Sequence, residues 1–65
     1  MPIITIQQDA SRTTEQKTEV IKQITQTMVD VYGAKPDSVI VFFEDHSDEN
    51  WGKGGQLNVD RKKNK

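Results

Sequence analysis

Hydrophobic positions along the chain predict two strands separated by a helix. Residues 2–8 are rich in β-branched side chains and predict a strand that has Ile4 and Ile6 on one face. Residues 39–43 are apolar without alternation, which predicts a second strand that is buried on both faces. Between the strands, apolar side chains recur at helical spacing and predict one stripe along a helix: Val20, Ile21, Ile24, Met28 and Val31.

Capping residues predict where this helix begins and where it ends. Thr13 followed by Gln16 three residues later is the pattern of a capping box. Gly33 suits the left-handed position that follows a helix end, and Pro36 prevents continuation. The helix is therefore expected to cover about residues 13–32.

A strand, a long helix and a second strand predict a β-α-β unit, with parallel strands and a right-handed crossover. The expected fold class is α/β (α+β), with a single domain over residues 1–65. The helix can cover only one face of a two-stranded sheet. The other face would stay apolar and open unless another subunit covers it.

The C-terminal third is predicted to be irregular, with a small hairpin. Residues 45–50 are expected to form a polar loop, and residues 51–55 a glycine-rich hairpin or bulged turn. Residues 56–60 are expected to add a short strand. Residues 61–65 carry four basic side chains and are predicted to be a frayed, solvated tail.

The composition indicates that the chain needs partners. Ordering 65 residues costs roughly 100 kcal/mol, and a chain with 32% hydrophobic residues has little core to offset that cost. The chain has no cysteine, and His46 is its only histidine, so neither a disulfide nor a zinc site is expected to help. Self-association as a homo-oligomer is the expected support.

The charge balance argues against two classes of partner. Nine basic and ten acidic residues give a net charge of −1, which gives no reason to expect nucleic-acid or membrane binding. No apolar run approaches the roughly 20 residues of a membrane span, and the N-terminal pattern is not that of a signal peptide. The expected location is the cytoplasm.

Pro2 is a candidate catalytic residue if Met1 is removed, as is expected before a small residue such as proline. The product carries a free secondary amine. An ordinary α-amino group has a pKa of about 7.7–8.0, and burial or a nearby arginine would lower it toward the value that suits a general base. Proline at position 2 is also common in proteins, where it often reflects only terminal processing.

Several short motifs, in this order and on a chain of this length, carry a family resemblance. They are Met-Pro-Ile at 1–3, Arg12, Glu15-Gln16-Lys17, Ser38-Val39, and Gly52-x-Gly54-Gly55-x-Leu57. With them the chain resembles the 4-oxalocrotonate tautomerase family over residues 2–57.

The resemblance implies a homohexamer, a trimer of dimers, with sites at the subunit boundaries. It implies a cofactor-free and metal-free isomerase in which Pro2 moves a proton within an unsaturated 2-hydroxy or 2-oxo acid, such as 2-hydroxymuconate. Arg12 matches the arginine that would bind a substrate carboxylate from a neighbouring subunit. Trp51 matches the aromatic residue, usually phenylalanine, that would line the pocket.

Ile40 departs from the family pattern. The best-characterised members have a second arginine here, which polarises the substrate carbonyl and binds a second carboxylate; isoleucine can do neither. This departure puts a dicarboxylate substrate in doubt. Lys35 and Lys53 could supply charge, but both are expected to be solvated surface lysines. The polar run at 45–49 matches no metal-binding signature and is expected to be a hydrated loop.

Two alternatives stay open on the sequence. The same scaffold could use a cationic Pro2 as an acid, in a dehalogenase or decarboxylase. The chain could also be a non-catalytic subunit that only assembles, which the isoleucine at position 40 would favour.

Overall fold

The computed structural model describes residues 1–63, which form four strands and two helices. In chain order these are β1 (Ile3–Asp9), α1 (Thr14–Tyr32), a 3₁₀ turn (Pro36–Ser38), β2 (Ile40–His46), β3 (Gly52–Lys53), β4 (Gln56–Leu57) and α2 (Asn58–Lys63).

Strands β1 and β2 pair in parallel, which confirms the predicted β-α-β unit. Ile3 lies opposite Ile40, and the register continues without interruption to Asp9 opposite His46. The backbone nitrogen of Ile40 also donates to the carbonyl of Pro2 at 3.0 Å, so pairing begins one residue before β1. Proline can occupy this first position because it needs no donor there.

The predicted caps hold helix α1 at both ends. The Thr13 hydroxyl accepts from the Gln16 backbone nitrogen at 3.1 Å, and the Gln16 side chain accepts from the Thr13 nitrogen at 3.0 Å. This reciprocal pair satisfies two donors that the first turn leaves free. At the other end, Gly33 has φ 70° and donates to Val29 at 3.1 Å. Glycine adopts this left-handed conformation without a steric cost.

Helix α1 covers one face of the two-stranded sheet. Along β1, Ile4, Ile6 and Gln8 are half-buried while their neighbours are exposed. Their register partners include Phe43, and the ammonium of Lys17 on α1 lies 5.9 Å from the Phe43 ring centre. The side chains between helix and sheet are therefore packed, but only partly enclosed.

The opposite face of the sheet is open and apolar. Ile3 is 57% exposed and Phe42 is 52% exposed, with Ile40 beside them in the register. No side chain of the described residues is fully buried.

The size of the surface agrees with this incomplete burial. The chain exposes 5164 Å², whereas a globular monomer of this mass exposes about 4,200 Å². Its radius of gyration is 15.7 Å, against about 11 Å for a compact chain of this length. The chain is therefore more extended than a compact globule of its length.

The predicted apolar stripe of α1 is wrong at its ends. The half-buried side chains on the sheet side are Ile21, Ile24, Thr25, Met28 and Val29, whereas Val20 and Val31 are exposed, the latter at 71%. Eleven residues make three turns plus about 20°, so Val20 and Val31 lie on the same edge of the helix. That edge runs past the side of the narrow sheet.

Several boundaries in the second half also differ from the predictions. Strand β2 covers 40–46 rather than 39–43, because Glu44, Asp45 and His46 continue the ladder against residues 7–9. The predicted polar loop accordingly starts at residue 47.

The predicted strand at 56–60 stops at Leu57, and residues 58–63 form α2, so the predicted frayed tail is wrong for residues 61–63. The charge order favours a helix here, with Asp60 in the first turn and three basic residues in the last. The remainder of the predicted tail, residues 64–65, lies outside the described residues. Within residues 1–63, no helix combines the length and hydropathy that crossing a bilayer requires.

One ion pair ties α1 to β2 and gives a pH-dependent prediction. Lys17 donates to Asp45, whose other oxygen accepts from Gln8 at 3.0 Å. The hydrogen bond from Lys17 and, second, the one from Gln8 hold the pKa of Asp45 below its ordinary value. A carboxyl with a lowered folded-state pKa stabilises the fold at neutral pH, and the stabilisation is lost as the pH falls through that pKa.

We expect Asp45→Asn to lower the Tm at pH 7, and the difference from wild type to shrink once the pH falls below about 3.9, the ordinary aspartate pKa. The measurement is thermal unfolding followed by circular dichroism. Glu44→Gln is the control, since this exposed neighbour has no ion pair among the described residues. Equal Tm values for Asp45→Asn and wild type at pH 7 would contradict the prediction.

Candidate active site

Pro2 lies at the head of β1, beside the start of β2. It is half-buried and its carbonyl is fixed by the Ile40 nitrogen. A shallow depression of about 450 Å³ next to it is lined by Met1, Pro2, Tyr32, Ala34 and Ser38. Met1 is 80% exposed, and while it stays attached the Pro2 nitrogen is an amide without basicity.

Arg12 lies in the link between β1 and α1. It lines a depression of about 380 Å³ whose floor includes Val20 and Phe43. Lys17 lines the same depression but is engaged by Asp45, while Arg12 has no ion pair with any of residues 1–63. Glu19 also lines this depression; a guanidinium beside apolar side chains is suited to binding the carboxylate of a partly apolar molecule.

Trp51 lies between the turn that follows β2 and the first strand of the hairpin. It lines a depression of about 390 Å³ with Asp9 and His46, and a second one of about 580 Å³ with Asp48 and Lys62. The Nε2 atom of His46 is enclosed and has no hydrogen-bond partner among the described residues.

A tight hairpin holds the position that follows Trp51. Gly52 pairs with Leu57 and Lys53 with Gln56, which leaves Gly54 and Gly55 as a two-residue loop. Their φ angles of 64° and 82° are those of the turn that best matches the twist of a hairpin.

A single chain does not bring Pro2, Arg12 and Trp51 together. Arg12 follows the far end of β1, and seven strand residues at about 3.3 Å each separate Pro2 from Asp9 by about 23 Å. Trp51 lies beside Asp9, at that same far end. A site that uses all three residues must therefore combine at least two subunits.

The surroundings of Pro2 include two residues that sequence reasoning did not place there, Tyr32 and Ser38. A signal was available, because the connection in a parallel β-α-β unit returns the chain to the edge where the first strand begins. The end of α1 and the residues before β2 therefore lie beside Pro2. Lys35 and Lys53 line no part of the depression at Pro2.

The comparison with known proteins agrees with this architecture. The family model described as "Tautomerase enzyme" matches residues 2–61. The chain belongs to the tautomerase family.

Two relatives illustrate the similarity within the tautomerase family. The chain is 38% identical over 55 residues to a 2-hydroxymuconate tautomerase of Comamonas testosteroni, covering 85% of this chain and 87% of that protein. It is 36% identical over 50 residues to probable tautomerase K2 of Dickeya dadantii, covering 77% and 75%.

A solved structure confirms the predicted tautomerase fold. An isozyme of 4-oxalocrotonate tautomerase from Methylibium petroleiphilum superposes with a TM-score of 0.85 at 28% identity, covering 98% of this chain and 100% of that one. The resemblance that the short motifs suggested is thus confirmed, and the match extends through the C-terminal hairpin.

The hairpin gives a prediction about Gly52. A Cβ added there would lie 2.8 Å from the carbonyl carbon of Gln56 and 2.9 Å from the Cα of Leu57, both backbone atoms. We expect Gly52→Ala to separate β3 from β4 and displace Trp51, the only tryptophan, so that its fluorescence emission shifts to longer wavelength.

Gly54→Asn is the matched control, because a Cβ there meets nothing within 4 Å and asparagine tolerates a positive φ. An emission maximum of Gly52→Ala equal to that of wild type would contradict this view of the hairpin.

Proposed function

We propose that this protein is a cofactor-free tautomerase that transfers a proton within an unsaturated 2-hydroxy or 2-oxo acid, with the Pro2 amine as base and then as acid. The observation that carries the proposal is the position of Pro2 in a chain of the tautomerase family. It stands at the head of β1, fixed by the Ile40 nitrogen and half-buried beside a depression.

Proton transfer by Pro2 requires the free amine that follows loss of Met1. Once Met1 is lost, an apolar wall from a neighbouring subunit disfavours the charged form of the amine and so favours the neutral base. The neutral amine takes the proton from the substrate's enol hydroxyl. The electron pair moves through the conjugated system, and the proton returns to a distant carbon, so an O–H bond breaks and a C–H bond forms.

Binding and exclusion of water fall to residues of neighbouring subunits. Arg12 binds the substrate carboxylate in bidentate fashion, and Trp51 supplies an apolar wall that keeps the amine desolvated. The separation of about 23 Å between the two ends of β1 supports such a shared site.

The open apolar face supports assembly, and we propose a homohexamer arranged as a trimer of dimers. Ile3, Ile40 and Phe42 would be covered by a second copy.

Ile40 limits the substrate class in this proposal. It lies opposite Ile3 and next to Pro2 in the ladder, and no lysine or arginine among the described residues lines the depression there. Removing one donor of the oxyanion type typically costs about 10²–10³ in rate. A monocarboxylate with an apolar tail therefore suits this chain better than a dicarboxylate.

The first test is the ketonisation of phenylenolpyruvate, a monocarboxylate, and of 2-hydroxymuconate, a dicarboxylate, followed by ultraviolet absorbance. We expect Pro2→Ala to lower kcat/KM by about 10²–10⁴, because it removes the amine geometry on which proton transfer depends. Intact mass spectrometry first establishes that Met1 is absent from both proteins.

Pro36→Ala is the matched control, since Pro36 is the only other proline and lies in the 3₁₀ turn. Equal rates for wild type and Pro2→Ala would refute the proposal. Absence of activity in wild type toward both substrates would favour a subunit that only assembles.

A second test asks whether the site is shared between subunits. Pro2→Ala and Arg12→Ala chains are unfolded together and refolded as mixed oligomers. Each variant alone should be nearly inactive, and the mixture should regain about a quarter of the wild-type activity, the fraction of boundaries that join two intact residues.

The control mixture combines Pro2→Ala with the double variant Pro2→Ala/Arg12→Ala, which contains no intact Pro2 and should stay inactive. A first mixture that is no more active than its separate components would show that Pro2 and Arg12 do not act across subunits.

A further inference from the structure

The turn between β2 and the hairpin, residues 47–51, is tied to α2 by hydrogen bonds at both of its ends. The Asn50 nitrogen donates to the Ser47 carbonyl at 2.9 Å, which closes the turn itself. The Asn58 nitrogen donates to the Trp51 carbonyl at 2.9 Å, and the Val59 nitrogen donates to the Asp48 carbonyl at 3.1 Å.

The side chain of Asp48 adds two further hydrogen bonds to the same helix. One oxygen accepts from the Asn58 amide at 2.8 Å, and the other accepts from the Lys62 ammonium at 2.7 Å. Asn58 is half-buried and bonds both Asp48 and the Trp51 carbonyl, so it connects the two positions directly. Asp48 thus contacts α2 at residues 58, 59 and 62.

Neither the hairpin nor α2 is long enough to be stable alone. The hairpin has two residues in each strand, and isolated two-stranded hairpins are marginal in water. Helix α2 has six residues, far fewer than the roughly 12–15 that an isolated helix needs. Each piece therefore depends on its surroundings, and Asp48 binds the turn that precedes the hairpin to α2.

The ionised form of Asp48 is the one that makes these contacts. Hydrogen bonds from Lys62 and, second, Asn58 keep the pKa of Asp48 below its ordinary value, and the pKa of Lys62 is raised by the same pair. Because Lys62 is 62% exposed, the ion pair itself adds little stability. Instead, the hydrogen bonds of the cluster fix the orientation of the turn relative to α2.

We infer that Asp48 is a positioning residue for the candidate active site, holding Trp51 in place by binding the turn to α2. Its effect on turnover rests on the proposed function, in which Trp51 lines a pocket formed with a neighbouring subunit. Its effect on the position of Trp51 does not.

The test compares wild type with Asp48→Asn, Lys62→Met and, as matched control, Lys63→Met. Asp48→Asn keeps the size of the side chain but removes the charge and one acceptor. Lys63 is the next residue along α2 and takes no part in the cluster. Because Trp51 is the only tryptophan, its emission maximum and its quenching by acrylamide report directly on its surroundings.

We expect Asp48→Asn to shift the emission to longer wavelength, to raise the quenching constant and to lower kcat/KM by about 10- to 100-fold, as misplaced site groups do. The loss should fall on both KM and kcat, because a displaced wall weakens substrate binding and also leaves the Pro2 amine less desolvated. Lys62→Met should show the same changes to a smaller degree, and Lys63→Met should match wild type.

Unchanged emission and quenching in both Asp48→Asn and Lys62→Met would overturn the inference. So would an altered emission together with unchanged KM and kcat. If Asp48→Asn fails to fold, as seen by circular dichroism and size-exclusion chromatography, Lys62→Met decides the question. A wild-type protein without tautomerase activity would refute the proposed function, while the emission comparison would still decide whether Asp48 holds Trp51.

Discussion

The parallel pairing of β1 with β2 determines where every other part of this small chain can lie. It begins at the hydrogen bond from the Ile40 nitrogen to the Pro2 carbonyl and runs to the pair Asp9–His46. A parallel pair needs a long crossover, which α1 supplies, and the crossover returns the chain to the same edge of the sheet. The pairing thereby places Pro2 at one end and both Arg12 and Trp51 at the other.

Two strands and one helix cannot enclose a core, and the exposed surface shows the result. The helix covers the face with Ile4 and Ile6, while Ile3 and Phe42 on the other face remain about half exposed. The same geometry that divides the candidate site between the ends of β1 also leaves an apolar surface for a second copy. The proposed assembly and the proposed shared site would thus both follow from one strand pairing.

Features set by local chemistry could be predicted from the sequence. The capping box at Thr13, the left-handed Gly33 and the two main strands depend on residues close together in the chain, and the structure confirms them. Helix α2 was missed although its charge order favours a helix, because a segment of six residues is helical only next to a partner ten or more positions away, Asp48. The exposure of Val31 also escaped prediction, since helical spacing does not reveal how narrow the opposing sheet is.

The sequence proposes residues for the candidate site, and these stay predictions; it does not show how they are arranged. Pro2, Arg12 and Trp51 follow from the family motifs, whereas Tyr32 and Ser38 come beside Pro2 only through the path of the crossover. Sequence spacing also could not show that Trp51 lines two separate depressions, since this depends on how the turn at 47–51 packs against α2.

The exposed Met1 at the head of β1 has a consequence for how the proposed enzyme comes into being. If Pro2 is the catalytic amine, the nitrogen that carries the proton is part of a peptide bond for as long as Met1 stays attached. Any extension fused ahead of Pro2, however well folded the protein behind it, would then leave the chain without its base.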